Sequence, residues 1–386
     1  MTITPSDPYP AYAELRGTGP VHRIDGPDGT PAWLVTRYAD VRNAFADPRL
    51  SVDKSNALPG KYRGLSLPPA LDANLLNLDP PDHTRLRALV TRAFTPGRIE
   101  GLAGPIRRTA DTLLDPLVRR GRGELIADYA TPLPITVICD LLGVPEDTRT
   151  DFKVWTDTML TPAGPDEARA AIGAMLRFFA VLIASKRAVP GDDLTSALIA
   201  ARDHDDRLSD DELTSLVFLI LFAGYENVVH LIGNATLALL EQPELWQRLS
   251  ADRAQLPAAV EELMRYDGPA PLAIRRFPTE DIEIGGVRIP AGETVLLALA
   301  SANRDAARFD DPDRVDLDRT VGGHLALGHG IHYCLGAPLA RLEVAIALEA
   351  LFDRTPTLSL AVPRTELSWR NTIRTRGLNE LPVKTG

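Results

Sequence analysis

The stretch Leu327-Gly328-His329-Gly330-Ile331-His332-Tyr333-Cys334-Leu335-Gly336 sets one cysteine among glycines and histidines. Ala337-Pro338-Leu339-Ala340-Arg341-Leu342-Glu343 follows, and its apolar spacing predicts a helix with proline in the first turn, where proline is tolerated. A thiolate just before a helix N-terminus faces unpaired backbone N–H groups and the positive end of the dipole. Both lower its pKa and soften its charge. Glycine, lacking a β-carbon, lets backbone approach a flat, bulky partner. Such a thiolate is suited to be a metal ligand.

A second candidate is an acid in apolar surroundings. From Leu213 to Leu240 the only formally charged residue is Glu226. A run of this length satisfies a transmembrane window. Against that reading stand Tyr225, Glu226 and Asn227 at its centre, His230 and Asn234 beyond them, and flanks carrying Asp210, Asp211 and Glu241 rather than a basic belt. Ser209-Asp210-Asp211-Glu212 reads as a capping box, and Pro243 marks the far end. A helix of about 32 residues would be roughly 48 Å long and would form the buried axis of a large helical protein. Glu226 is then either a structural acid satisfied by nearby backbone or a proton-relay acid beside a cofactor. Further along, Glu262 and Arg265 are neighbours on one helix face at i,i+3, a pairing common on surface helices.

In this order, the motifs resemble those of the cytochrome P-450 superfamily. Its ligand-loop pattern Phe-Gly-x-Gly-x-His-x-Cys-x-Gly is matched at Gly328, Gly330, His332, Cys334 and Gly336, with Leu327 in place of phenylalanine. Ala223-Gly224-Tyr225-Glu226-Asn227 is similar to the distal-helix motif Ala-Gly-x-(Glu/Asp)-Thr. The resemblance implies that Gly224 leaves room for dioxygen and that Glu226 connects the site to bulk protons. Asn227 stands where the family usually has threonine, so an amide replaces the hydroxyl donor; it can still donate, accept or hold a water. Glu262 and Arg265 resemble the family's Glu-x-x-Arg pair, with Arg314 as its implied third member and support of the cysteine loop as its role. By the same resemblance His83 and Arg87, one turn apart in Asp79–Arg87, bind haem propionates together with Arg276 and His332; strand alternation turns Arg275 elsewhere. Further segments, such as Asp40-Val41-Arg42 and Ala302-Asn303-Arg304-Asp305, extend the likeness to soluble bacterial members over nearly the whole chain.

The resemblance implies a mainly α chain with a smaller β-region, the P-450 prism fold, as one domain over 1–386. It implies haem b, with Cys334 as the iron ligand whose thiolate favours O–O cleavage, and Glu226 and Asn227 serving proton delivery. The activity implied is a monooxygenase that hydroxylates or epoxidises a bulky, mostly apolar small molecule of secondary metabolism: a polyketide, macrolide, peptide or terpenoid, as in antibiotic biosynthesis. Its partners would be O2, a ferredoxin, and an NAD(P)H-dependent ferredoxin reductase, docked on a basic surface with Arg92, Arg98 and Arg341. The substrate pocket would draw on the segments Leu58–Leu76, Trp155–Phe179, Phe218–Ala223 and Pro269–Ile274 and on Thr372 and Ile373. Within these, Leu76, Phe179, Phe218, Phe222, Ala223, Leu272, Ile274 and Ile373 supply apolar walls that suit such a ligand. Two other activities stay open: oxidative coupling or peroxide-driven oxidation without oxygen insertion, motivated by Asn227, and a non-catalytic haem-binding role.

The whole chain bounds these expectations. Its 386 residues are 45% hydrophobic and 24% charged, ordinary for a globular protein. A net charge of -10 argues against nucleic acid, which needs a basic surface. Two cysteines cannot form a disulfide framework, and Cys139 in an apolar segment reads as an inert core thiol. The first residues lack the charged, apolar and cleavage segments of a signal peptide. Cytoplasmic location without membrane attachment is expected. Ile282–Pro290 reads as a hairpin, and no internal repeat or long linker interrupts the chain.

Overall fold

The apolar run after Ser209 folds as one helix over Asp210–Leu240. Its start is the capping box read from the sequence: Ser209 N–H donates to Glu212 Oε2 at 2.8 Å, and Glu212 N–H donates to Ser209 Oγ at 3.1 Å. These bonds satisfy donors that the helix itself cannot. Of its most apolar 18-residue window, 72% is buried in the protein, so a segment long enough to cross a membrane serves here as core. Pro165–Ala188 passes the same length and hydropathy test with 28% of its window buried.

The computed structural model describes residues 3–63, 67–160, 164–205, 208–320 and 322–385. In chain order the helices around the candidate residues are α1 (Asp82–Ala93), α2 (Pro132–Leu142), α3 (Arg149–Leu160), α4 (Pro165–Ala188), α5 (Asp210–Leu240), α6 (Leu256–Asp267) and α7 (Ala337–Arg354). The fold is mainly α with a smaller β-region, as expected. Contacts gather the chain into two compact units, neither continuous in sequence. The first comprises Met1–Gly64, Ile106–Pro132 and Asn227–Gly386; the second comprises Leu65–Pro105 and Leu133–Glu226.

The strands of the described residues all lie in the first unit. β1 (Val21–Asp25) pairs antiparallel with β2 (Pro31–Val35). The hairpin of β3 (Ile282–Ile284) and β4 (Val287–Ile289) turns at Gly285 and Gly286, whose φ of 56° and 81° suit glycine. β5 (Val295–Leu297) then runs parallel to β2. Alternation along β2 divides its side chains between two clusters. Ala32 and Leu34 pack with Tyr12, Leu296 and Ala298, whereas Val35 packs with Phe45, Val295 and Leu297.

The second unit is helical and has an aromatic core. Phe179 lies with ring centroids 5.1 Å from Phe178, 6.0 Å from Phe218 and 6.3 Å from Phe152. Tyr225 meets Phe152 edge-on at 6.4 Å, within the range where aromatic pairs are favourable.

Candidate active site

Cys334 is half-buried and stands two residues ahead of Gly336, the N-cap of α7. No side chain caps that helix, and its proline occupies the first turn. The dipole end behind the thiol is therefore left to backbone, as the sequence led us to expect. The loop is shaped by two glycines, Gly328 and Gly330, with φ of 74° and 70°, conformations that cost other residues strain. Cys334 N–H donates to Leu327 O at 2.9 Å, and Tyr333 N–H donates to Gly330 O at 3.1 Å. Gly336 has an ordinary φ of -79°, and a β-carbon there would meet no protein atom within 4 Å. Open space beside Cys334 is what a flat ligand requires, so the residues present fit a haem. Cys139, by contrast, is buried in α2, and burial pushes its thiol up to about 11.

α6 supplies Glu262 and Arg265, both fully buried. Arg265 donates Nε to Glu262 Oε2 and Nη2 to Glu262 Oε1, each at 2.8 Å. Its remaining donors reach the carbonyls of Asn303 at 2.9 Å, Pro312 at 2.8 Å and Arg314 at 3.1 Å. The structure corrects the expected third member. Arg314 contributes only that carbonyl, while its side chain pairs with Asp316 and is 62% exposed. The guanidinium that reaches Glu262 is Arg319, Nε to Oε1 at 3.2 Å and 10% exposed. Asp316 N–H donates to the same oxygen at 2.9 Å. The carboxylate is thus fully bonded, the condition under which a buried ion pair is tolerated.

Glu261, the preceding residue, faces another way. Its carboxylate accepts from Arg341 and stands against His324. Burial pushes its pKa up, but the hydrogen bonds from Arg341 and His324 prevail and hold it down at about 2. Arg341 is thereby engaged within the chain, and Arg98 pairs with Asp192 at 3.0 Å.

The expected propionate residues fall in both units. Arg276 is buried, donates to Ile274 O at 2.8 Å, and lies 5.5 Å from the Phe45 ring. That ring also stands 3.7 Å from where a β-carbon of Gly328 would be, so Phe45 joins Arg276 to the ligand loop. Nothing in the local sequence marks Phe45 for this place. Arg275 points instead towards Tyr62 and Phe277, as alternation required. His332 lies in the 3-10 turn Gly330–His332 of the loop. In the second unit His83 is buried and Arg87 half-buried, one turn apart on α1.

Along α5, residues 216–221 and 228–235 are buried, yet Ala223 and Asn227 are exposed and Phe222 and Glu226 partly so. The helix opens at the expected motif. At Gly224 a β-carbon would lie 2.7 Å from Ile138 Cδ1 of α2, so this glycine serves the close packing of the two helices. Phe179 and Phe218, expected to line the substrate pocket, are 0% and 3% exposed, closed into the aromatic core. Leu76, Phe222, Leu272, Ile274 and Ile373 are partly exposed and Ala223 is exposed. Residues 64–66 and 161–163 of the expected pocket segments lie outside the described residues. One residue the sequence did not mark is Glu343 of α7, 1% exposed, with neither carboxyl oxygen hydrogen-bonded; burial raises its pKa well above the usual range.

A glycine-shaped cysteine loop ahead of a helix, together with a buried Glu–Arg pair in a mainly helical chain, is the arrangement of the haem-thiolate proteins of the P-450 fold. Comparison with known proteins agrees. Residues 152–355 match the family described as Cytochrome P-450. The chain is 46% identical over 382 residues to the cytochrome P-450 monooxygenase PikC of Streptomyces venezuelae, covering 98% of this chain and 91% of that one. It is 42% identical to the mycinamicin IV hydroxylase/epoxidase of Micromonospora griseorubida, covering 96% and 94%. Among solved structures, the tirandamycin C-bound P-450 monooxygenase TamI superposes with a TM-score of 0.89 at 44% identity, covering 98% of each chain. This chain belongs to the cytochrome P-450 family; it is a monooxygenase whose cofactor is haem b.

Proposed function

We propose that this monooxygenase hydroxylates or epoxidises a bulky, mostly apolar product of secondary metabolism, of the polyketide or macrolide class. The observation that carries the reading is the Cys334 loop, with open space at Gly336 beside it, in a chain 42% identical to a mycinamicin IV hydroxylase/epoxidase. Cys334 would ligate the iron; His83, Arg87, Arg276 and His332 would neutralise the propionates. When bound, the haem supplies the activation of O2. Glu226 and Asn227 would hold and pass the protons this consumes, both sitting where α5 opens. Leu76, Phe222, Ala223, Leu272, Ile274 and Ile373 remain the proposed apolar walls. A ferredoxin and an NAD(P)H-dependent reductase would supply electrons in the cytoplasm, with no membrane and no nucleic acid involved. The whole of 1–386 is taken as one P-450 domain, a reading supported by the discontinuity of both units in sequence.

The test is spectral, then isotopic. Cys334→Ala should abolish the thiolate carbon-monoxide band of the reduced protein, while Cys139→Ala should retain it; retention in Cys334→Ala would refute the ligand. Product formed under labelled O2 should carry one labelled oxygen, and an unlabelled product would favour coupling chemistry.

A further inference from the structure

The segment that leads to Cys334 leaves His324 and ends at α7 with little regular structure of its own, so side chains must hold it. One carboxylate does so at both ends. Arg341 of α7 donates Nε to Glu261 Oε1 at 2.6 Å and Nη2 to Glu261 Oε2 at 2.9 Å, a bidentate fork of the stronger kind. The same Nη2 donates to Tyr333 Oη at 3.1 Å, on the residue just before the cysteine. At the other end His324 Nε2 lies 3.1 Å from Glu261 Oε2. Ala326 N–H donates to His324 Nδ1 at 3.3 Å. A backbone N–H can only donate, so Nδ1 is the acceptor and Nε2 carries the proton that points at Glu261. The His324 side chain is 5% exposed and that of Glu261 23%, so bulk water competes weakly for the bond between them; Arg341, at 37%, and Tyr333 are more open.

The partners separate this residue from its neighbour. Glu262 bonds to Arg265, Asp316 and Arg319, all outside the segment 324–334. Glu261 bonds directly to His324 and, through Arg341, to Tyr333. We propose that Glu261 and Arg341 are positioning residues for Cys334, closing the ligand loop at both ends through His324 and Tyr333. The inference rests on the reading of Cys334 as the iron ligand and adds to it how the loop is kept in register.

The experiment uses the haem-loaded protein. The rate at which its reduced carbon-monoxide complex loses the thiolate band in mild denaturant reads release of the loop, and far-ultraviolet circular dichroism reads global unfolding. Losing a charge-assisted bond should raise the rate about ten- to hundredfold in E261Q and R341Q, and losing the one exposed bond that the Tyr333 hydroxyl accepts about three- to tenfold in Y333F. R341K, which keeps the charge without the fork, should fall between parent and R341Q. Global unfolding should shift less than band loss in every variant. Rates within about twofold of parent in both E261Q and Y333F would overturn the proposal, as would band loss that tracks global unfolding throughout. C334A separates the two readings. If it retains the thiolate band, the ligand assignment fails; if it loses the band while E261Q and Y333F behave as parent, only the clamp fails.

Discussion

Replacing Glu343 with glutamine tests the packing of α7 through its pH dependence. The side chain is 1% exposed and neither oxygen has a hydrogen-bond partner. A buried carboxylate without a partner is far costlier than a neutral acid, so the folded protein keeps the proton; burial alone raises the pKa well above its ordinary 4.5. The unfolded chain releases that proton near the ordinary value. Above it the folded state therefore binds one more proton than the unfolded state, and stability falls as pH rises. For one proton the slope is about 1.4 kcal/mol per pH unit, continuing until pH passes the folded-state pKa. Glutamine has nearly the same shape and does not titrate; any cost of its unbonded amide is independent of pH. Urea unfolding of parent and Glu343→Gln, at equal haem loading, should show the variant gaining on the parent as pH rises above the ordinary carboxyl range, at up to about 1.4 kcal/mol per unit, until pH passes the raised folded-state pKa. Titrations common to both proteins cancel in that difference. A difference independent of pH over this range would refute the reasoning, since Glu343 would then be ionised in the fold.

Gly224→Ala should destabilise the protein by about 1–3 kcal/mol through overpacking, because its new methyl would stand 2.7 Å from Ile138 Cδ1; thermal unfolding measures this, and an unshifted midpoint would contradict the packing. Arg276→Ala and Arg87→Ala should each weaken haem retention, a charge-assisted bond being worth about 1.5–3 kcal/mol, and the double variant should do so severely; parental haem transfer to apomyoglobin in both single variants would remove the two assignments. Glu226→Gln should slow turnover and raise peroxide release, whereas Asn227→Thr should be tolerated; parental rate and coupling in Glu226→Gln would end the proton-relay role.

Part of this protein is legible in its amino-acid sequence alone. The capping box at Ser209 is, because its bonds are local and depend only on residues three apart. So is the Cys334 loop, since glycine at positive φ and proline in a first turn are conformational facts of single residues. Arg275 and Arg276 diverge because successive residues of extended backbone, here bridged to Val295, point to opposite sides. Contacts between residues distant along the chain are another matter. Arg319, not Arg314, reaches Glu262, because the path of the segment 311–319 determines which side chain arrives. Phe179 of α4 belongs to the core because Phe152 of α3 and Phe218 of α5 come against it. Gly224 packs against Ile138, eighty-six positions earlier in the chain. Glu343 reads as one acid among many until packing surrounds it without a partner. Local sequence determines which groups are available and how the backbone turns; burial and pairing are properties of atoms brought together from elsewhere, and only the tertiary structure brings them.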